Sequence, residues 1–248
     1  MSGHSKWSTI KRKKEKTDNQ RGKIFTKIGR EIAVAVKSGG PDPEVNSKLK
    51  DAVLKAKSNN MPNETIARSI KKASGEMDGV SYEEIAYEGY GPCGVAVIVE
   101  TLTDNRNRTA GDVRHYFDKF GGNLGQTGCV SFMFDKKGVI IIAKNGKLDE
   151  DTVMMDALDF GAEDFASEDD YYEITASPES LSKVSQALEE KGYVIDSAQI
   201  DMVPQTTVKL TVEKDIQMMD QLIDHLEDSD DVQEVYHNWE RDEEDDEE

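Results

Sequence analysis

Cysteine and histidine, the residues that most often build metal and redox sites, are scarce in this chain. Among 248 residues there are two cysteines and four histidines. Cys93 and Cys129 are far apart, so the sequence predicts neither a disulfide framework nor a zinc motif, as is typical of a protein in a reducing cytosol. No two histidines lie at metal-ligand spacing. We therefore expect no metal and no cofactor.

Long apolar runs and the usual enzyme motifs are also missing. No run approaches the ~20 apolar residues of a membrane span, and the charged N-terminus lacks the apolar region of a signal peptide. We thus expect no membrane partner and no export. The patterns G-x-x-x-x-G-K-[ST], H-E-x-x-H and G-x-S-x-G do not occur. Because these common enzyme signatures are absent, we do not expect the protein to be an enzyme.

Two features could still suggest catalysis or nucleotide binding. Residues Gly89–Gly94 match G-x-G-x-x-G, but the β-branched run Val95–Val99 follows where that motif needs a helix, which favours a tight turn. The pairs Asp169-Asp170 and Asp230-Asp231 could serve a Mg²⁺-dependent hydrolase or nuclease. Both are predicted to lie in turns, with no converging base or nucleophile.

The charge on the chain is strongly segregated. Residues 1–75 carry 18 Lys and Arg against 7 Asp and Glu, while the other 173 residues carry 13 against 43. A basic module of net +11 is therefore joined to an acidic body of net −30. Basic clusters bind polyanions because each Lys or Arg beside a phosphate releases condensed counterions. The alternative is a solvated basic face without a partner.

The pattern of apolar residues predicts three helices in the basic module. The first runs from about Asp18 to Lys37, with Ile24, Ile28, Ile32 and Val36 on one face, and Gly39-Gly40 ends it. The second begins at Asp42-Pro43-Glu44 and buries Val45, Leu49, Ala52, Val53 and Ala56. The third begins near Pro62, buries Ile66 and Ile70, and ends at Gly75. Short connections make a three-helix bundle.

Beyond residue 79, strands and helices alternate. The order strand, helix, strand, strand, helix, strand over 138–203 is a ferredoxin-like unit. Strand Thr206–Val212, helix Asp215–Glu227 and strand Val232–His237 are expected to complete the sheet that begins near residue 85. The fold class is α+β: a three-helix bundle followed by two α/β domains, one ferredoxin-like (βαββαβ) and inserted in the other. The predicted domains are 1–78, basic and helical; 79–132 with 206–238, α/β; 133–205, the insertion; and 239–248, a disordered acidic tail.

Candidate nucleic-acid contacts fall in three places: the N-terminal arm (residues 1–16), the first predicted helix, and the start of the predicted helix at Arg106. The arm combines cations with Trp7, whose ring could stack on an unpaired base or fold back on the bundle. Three of the four arginines after residue 75 lie at the start of one predicted helix, where they could bind phosphate or pair with nearby carboxylates. The predicted binding residues are His4, Ser5, Lys6, Trp7, Lys11, Arg12, Lys13, Lys14, Arg21, Lys23, Lys27, Arg30, Arg106, Arg108 and Arg114.

Blocks of sequence throughout the chain resemble the YebC/PmpR family, whose mitochondrial relative is the translational activator of cytochrome c oxidase subunit I. The match runs from Gly3 to Trp239. Six blocks carry it, in this order: Gly3–Trp7, Arg21–Lys27, Ser58–Pro62, Tyr87–Pro92, Asp104–Thr109 and Gly121–Gly125. The chain departs from the family pattern at Cys93, where a glycine is expected, and in its longer acidic tail.

The resemblance implies a helical N-terminal domain followed by two α/β domains, in agreement with the prediction from the residues. Bacterial members are described as DNA-binding transcriptional regulators, and the family is also linked to translation, at the ribosome and on messages encoding proline-rich stretches. The first matching block begins at residue 3, which leaves no room for a mitochondrial presequence. We therefore expect the protein to lie in a bacterial cytoplasm.

We therefore predict a non-enzymatic, nucleic-acid-binding regulator of gene expression, a transcriptional regulator, and expect a monomer. For a transcriptional regulator the expected partner is DNA. In the translational alternative the partners are ribosomal or transfer RNA and the ribosome. No helix shows a convincing base-reading pattern, which favours RNA or backbone-only binding. A protein-interaction adaptor that uses the acidic body is the third alternative.

Overall fold

A computed structural model describes residues 18–75, 81–144, 146 and 148–241. The helices are α1 (Asp18–Gly39), α2 (Ser47–Ser58), α3 (Asn63–Ser74), α4 (Arg106–Lys119), α5 (Glu150–Phe160), α6 (Leu181–Lys191) and α7 (Glu213–Asp228). The strands are β1 (Glu83–Tyr90), β2 (Ala96–Thr103), β3 (Asn123–Leu124), β4 (Phe134–Ala143), β5 (Asp164–Ser167), β6 (Tyr171–Ala176), β7 (Ser197–Pro204), β8 (Val208–Lys209), β9 (Val232–His237) and β10 (Trp239–Glu240). Of the predicted disordered tail, 239–248, Trp239–Glu240 form β10, and residues 242–248 lie outside the described residues.

The three basic helices form the predicted bundle. Ile28, Ile32 and Val36 of α1 are buried, and they pack in one cluster with residues of α2 and α3. This burial follows from their four-residue spacing, which places them along one face of the helix. Gly40 follows α1 with φ at +86°, a left-handed conformation that glycine adopts without the steric cost of a Cβ.

The start of α2 differs from the prediction. The helix begins at Ser47, and its N-cap is Asn46, whose side chain accepts a hydrogen bond from Leu49 N at 3.1 Å. Asp42 instead closes a turn, since its side chain accepts from Glu44 N at 3.0 Å and its carbonyl from Asn46 N at 2.9 Å. Val45, expected in the buried stripe, is 80% exposed because it lies in that turn.

The first α/β region is a four-stranded sheet in the order β3-β1-β2-β9. Buried side chains of α4, among them Val113 and Phe117, and of α7, among them Met219 and Leu222, contribute to the core of this region. Gly89 and Tyr90 end β1, and the chain turns through Gly91–Gly94 into β2, with a hydrogen bond from Gly91 N to Val95 O at 2.7 Å. The prediction of a turn is confirmed, and no helix N-terminus follows it.

Two glycines in this region are explained by close backbone approach. A Cβ on Gly89 would lie 2.6 Å from Asn123 O, and one on Gly122 would lie 2.6 Å from Tyr90 O. Both contacts are shorter than a side chain tolerates, so the pairing of β3 with β1 depends on glycine at these positions.

The region from β4 to β7 has the predicted ferredoxin-like order of elements. Its antiparallel sheet runs β5-β6-β4-β7. α5 and α6 contribute Val153, Ala157, Val184 and Leu188 to a core that includes Ile140, Ile142 and Ile174 of the sheet. The alternation along β4 places Val139 and Ile141 in a separate cluster with Tyr171.

The strand predicted at Thr206–Val212 was wrong in length and in partner. Only β8, Val208–Lys209, is extended there, and it pairs in parallel with β10 rather than with the first sheet. β9 does join that sheet beside β2, as expected. Among the described residues, contacts group 18–129 with 212–235, and 130–211 with 236–241. The exact domain boundaries given above stay predictions.

Candidate nucleic-acid interface

Three of the predicted binding residues of α1 have partners within the protein. Lys23 Nζ lies 3.0 Å from Asp228 Oδ1, and Lys27 Nζ donates to the carbonyl oxygen of Glu227 at 2.6 Å. Arg30 Nη1 pairs with Asp231 Oδ1 at 2.5 Å and donates to Leu102 O at 3.2 Å. These side chains lie at i, i+4 and i+7, so they share one face of the helix.

Asp231 is the centre of a buried polar network. Besides Arg30, it accepts hydrogen bonds from Arg108 Nη2 at 2.7 Å, Thr109 Oγ1 at 2.8 Å and Thr103 Oγ1 at 3.3 Å. Its side chain is 7% exposed. Burial alone raises the pKa of Asp231, but the hydrogen bonds from Arg108, Arg30 and Thr109 outweigh it and lower the pKa to about 2. Asp231 is therefore a carboxylate at neutral pH.

Lys55 of α2 is a second internal ion-pair centre. Its Nζ lies 2.7 Å from Glu31 Oε1 of α1 and 3.5 Å from Glu234 Oε1 of β9. Burial lowers the pKa of Lys55, yet the two carboxylates more than compensate and leave it raised. The lysine is charged and joins the helical bundle to the edge strand of the sheet.

The predicted arginines at the start of α4 have separate roles. Arg108 pairs with Asp104 at 2.8 Å as well as with Asp231, and these acceptors raise its pKa further. The backbone N–H of Arg108 donates to the N-cap side chain of Asn105 at 3.1 Å. Arg106 and Arg114 are exposed and form no ion pair with the described residues. For Arg108 the internal salt bridge is realised, while Arg106 and Arg114 stay available.

A set of cations that the sequence did not single out is exposed on α2 and α3. Lys48, Lys50, Lys57 and Lys71 are exposed, and none forms an ion pair with the described residues. Leu54, 55% exposed, lies between Lys50 and Lys57 at helical spacing. A sequence signal existed, since these lysines fall on the polar side of the predicted stripe, but only the bundle shows which lysines are not used internally.

The remaining predicted residues are placed as follows. Arg21 is exposed near the start of α1 and makes further contacts within the chain. His4, Ser5, Lys6, Trp7, Lys11, Arg12, Lys13 and Lys14 lie outside the described residues. Their role in binding stays a prediction.

Other kinds of site receive no support from the described part of the chain. It contains no group of three or more His, Cys, Asp or Glu side chains able to hold a metal ion. Cys93 and Cys129 are both free thiols. Among the described residues, no helix combines the length and apolar character needed to cross a membrane.

The fold and the surface together define a class: an α+β protein with a basic three-helix bundle ahead of two α/β regions. Comparison with known proteins identifies the family. Residues 5–76 match the model of the TACO1/YebC protein N-terminal domain, and residues 82–239 match that of the TACO1/YebC second and third domain. The chain belongs to the TACO1/YebC family.

Similar proteins cover nearly all of the chain. One from Acetivibrio thermocellus is 70% identical over 96% of this chain and 99% of its own length, and one from Ruminiclostridium cellulolyticum is 65% identical over the whole of both. Each is named "probable transcriptional regulatory protein". A crystal structure of a conserved hypothetical protein from Aquifex aeolicus is 47% identical, with a TM-score of 0.80 over 91% of this chain and 92% of that one.

Proposed function

We propose that this protein is a non-enzymatic, nucleic-acid-binding regulator of gene expression, and specifically a DNA-binding transcriptional regulator of the bacterial cytoplasm. The observation that carries the proposal is the concentration of positive charge in residues 1–75, net +11 within a chain of net −19. A bound polyanion would be attracted to this region and repelled by the rest. The printed names of the bacterial relatives support the transcriptional reading.

The exposed lysines suggest how the bundle would bind. Lys50 and Lys57 lie on one face of α2, about two turns apart, and can each approach a phosphate. Lysine ammonium groups bind phosphate as point charges and carry no base-specific geometry. In our proposal the bundle therefore positions the protein on a nucleic-acid backbone, with Arg106 and Arg114 of α4 as a second contact.

The translational alternative is favoured by one specific observation. α2 has no Arg, Asn or Gln between Ser47 and Ser58, and the one arginine of α3, Arg68, pairs with Glu64 at 3.2 Å. α2 thus lacks the Arg, Asn and Gln side chains that usually read base edges in the DNA major groove, and α3 has only Asn63 beside Arg68. Backbone recognition of this kind would serve equally well on structured RNA, including ribosomal RNA.

Binding measurements on the full chain test the proposal. We expect Lys50→Ala combined with Lys57→Ala to reduce the slope of log affinity against log salt by about 2 for a duplex, near 0.9 per contact. The matched control replaces Lys136 and Lys183, two exposed lysines of the acidic part, and should leave the slope unchanged. Failure of the unmodified chain to bind either DNA or RNA at low salt would refute the proposed function.

Crosslinking in cells, followed by sequencing of the bound nucleic acid, separates the two readings. Enrichment of promoter DNA would support transcriptional regulation. Enrichment of ribosomal or transfer RNA would transfer the same surface to the translational alternative.

A further inference from the structure

The cation face of α1, formed by Lys23, Lys27 and Arg30, meets a complementary acidic segment. This acidic ridge consists of Glu227, Asp228, Asp231 and Glu234, at the end of α7 and the start of β9. The ridge supplies the acceptors already described, at 3.0 Å from Lys23, 2.6 Å from Lys27 and 2.5 Å from Arg30. Both belong to the same compact group of residues.

The ridge offers the cation face what a nucleic-acid backbone would offer. Carboxylates and phosphates both present anionic oxygens at about 2.7–2.9 Å from Lys and Arg nitrogens, and both accept charge-assisted hydrogen bonds. Asp228 and Asp231 engage Lys23 and Arg30 with carboxylate oxygens, and between them the main-chain carbonyl of Glu227 accepts from Lys27. The protein's own acidic residues thus cover part of the positive surface of its basic module.

The contacts become more exposed along α1 from Arg30, the inner end of the cation face, to Lys23, its outer end. Arg30 and Asp231 are 17% and 7% exposed, whereas Lys23 and Asp228 are 43% and 67% exposed. An exposed pair gains little free energy and is screened by salt, while a buried pair is costly to break. Lys23 can therefore exchange Asp228 for another anion, while the buried Arg30–Asp231 pair stays formed.

We infer that the outer part of the α1 cation face, Lys23 and Lys27, is a polyanion-binding surface that the acidic ridge masks. Nucleic acid displaces the ridge from these two lysines, and Arg30–Asp231 keeps the bundle attached to the sheet. The ridge acts as an internal competitor that lowers affinity for any polyanion too weakly charged to displace it. This inference rests on the proposed function.

Neutralising the ridge tests the competition. The variant Glu227→Gln with Asp228→Asn should bind a labelled single-stranded RNA or duplex DNA about threefold more tightly, as expected for the loss of the exposed Lys23–Asp228 ion pair and of a neighbouring negative charge. The control Glu84→Gln with Asp118→Asn removes the same charge at exposed positions that form no ion pair with α1. General electrostatics would strengthen both variants alike. Equal gains in affinity for the two variants would therefore overturn this inference and leave the proposed function intact.

A crosslinking measurement tests the displacement directly in the full chain. A zero-length carbodiimide reagent should join Lys23 to Asp228 and, as an internal control, Lys191 to Asp156, whose atoms are also 3.0 Å apart. Saturating nucleic acid should suppress the first crosslink several-fold and leave the second unchanged. Persistence of the Lys23–Asp228 crosslink in the bound protein would overturn the inference. Absence of any binding would overturn the proposed function, and this inference with it.

Discussion

Asp231 is the residue on which the contact between bundle and sheet depends most. Its carboxylate holds arginines from α1 and α4 and two threonine hydroxyls in a setting where water has little access. Removing one partner of such a group leaves the others buried without compensation. Its neighbour Asp230 is exposed and differs from it only in position.

We predict that Asp231→Asn lowers the free energy of unfolding by about 3 kcal/mol, the cost of breaking a buried ion pair. The control Asp230→Asn should change it by less than about 0.5 kcal/mol, as surface substitutions do. Urea unfolding of both variants at neutral pH measures the difference. Equal, small effects of the two substitutions would contradict a structural role for the network.

The pH dependence of stability provides a second measurement on the same group. The folded pKa of Asp231, about 2, lies below its usual value of 3.8. A carboxylate whose pKa falls on folding stabilises the protein above the unfolded pKa, and this stability is lost as pH falls toward the folded pKa. The unmodified protein should lose about 2 kcal/mol between pH 4 and pH 2 through this group. The Asn variant should lack that component.

Cys93 occupies a backbone conformation that suits glycine. Its φ is +53°, and its thiol donates to Asp215 Oδ2 at 3.1 Å, a contact that, together with burial, raises the pKa of the thiol. The left-handed conformation costs a residue with a Cβ about 1–2 kcal/mol. Glycine, the residue expected here from the resemblance, would adopt this conformation without that cost.

Cys93→Gly is predicted to raise the free energy of unfolding by about 0.5–1 kcal/mol, since relief of strain exceeds the added entropy of the unfolded chain. Cys93→Ala, which keeps the Cβ and removes the thiol, should give no gain. Urea unfolding compares the two. Because both variants lack the thiol, a lower stability for Gly than for Ala would show that the added entropy of the unfolded chain outweighs the relief of backbone strain.

At the scale of elements, the junction between α1 and α2 depends on one buried amide. Asn46 Nδ2 donates to Ala35 O at 2.7 Å and to Gly40 O at 2.8 Å, while Oδ1 caps α2. A Cβ on Gly39 would lie 2.7 Å from Asn46 Cγ, so the helix end and the amide fit closely. One side chain thus satisfies a carbonyl of α1, the carbonyl of Gly40 just after it, and an N–H of α2.

Asn46→Ala should destabilise the protein by about 2 kcal/mol, through loss of the cap and of the hydrogen bonds to Ala35 O and Gly40 O, of which only Ala35 O keeps a side-chain donor, Ser38 Oγ. Asn46→Asp keeps the capping acceptor but replaces the donor by an anion beside two carbonyl oxygens. It should cost at least as much as Ala. Far-UV circular dichroism during urea unfolding measures both variants. If Asn46→Asp left the free energy of unfolding unchanged, only the cap would contribute to stability.

At the scale of the whole molecule, the segregated charge implies a salt-dependent contact. We expect replacement of Lys11, Arg12, Lys13 and Lys14 by Ala to flatten the log–log salt slope for a duplex by roughly three units, if all four neutralise phosphates. Titration at several salt concentrations measures the slope. An unchanged slope would identify the run as a solvated surface.

Trp7 can separate RNA from DNA as the target. Stacking on an unpaired base contributes about 1–3 kcal/mol, and bases within a duplex are already stacked. If RNA is the partner, Trp7→Ala should weaken binding to structured RNA by about tenfold and hardly alter binding to duplex DNA. A loss of stability with both affinities reduced together would instead make Trp7 a core residue.

The elements with strong periodicity were predictable from the order of amino acids alone. The four-residue spacing from Ile24 to Val36 gave α1, and the alternation across 138–203 gave the βαββαβ order, because burial of one face leaves a periodic trace. The start of α2 was missed because Asp42-Pro43 and Asn46 both resemble helix starts. The choice between them depended on Asn46 reaching two carbonyls at the end of α1.

Which charges remain available for binding depends on contacts that form when the chain folds. Lys27 and Arg30 meet partners 200 and 201 positions away in the chain. No local pattern records such a pairing, since a lysine has the same sequence context whether its nitrogen faces a carboxylate or water. Net charge is a sum over residues and is read from composition; the accessible positive surface depends on which opposite charges the fold brings within about 3 Å.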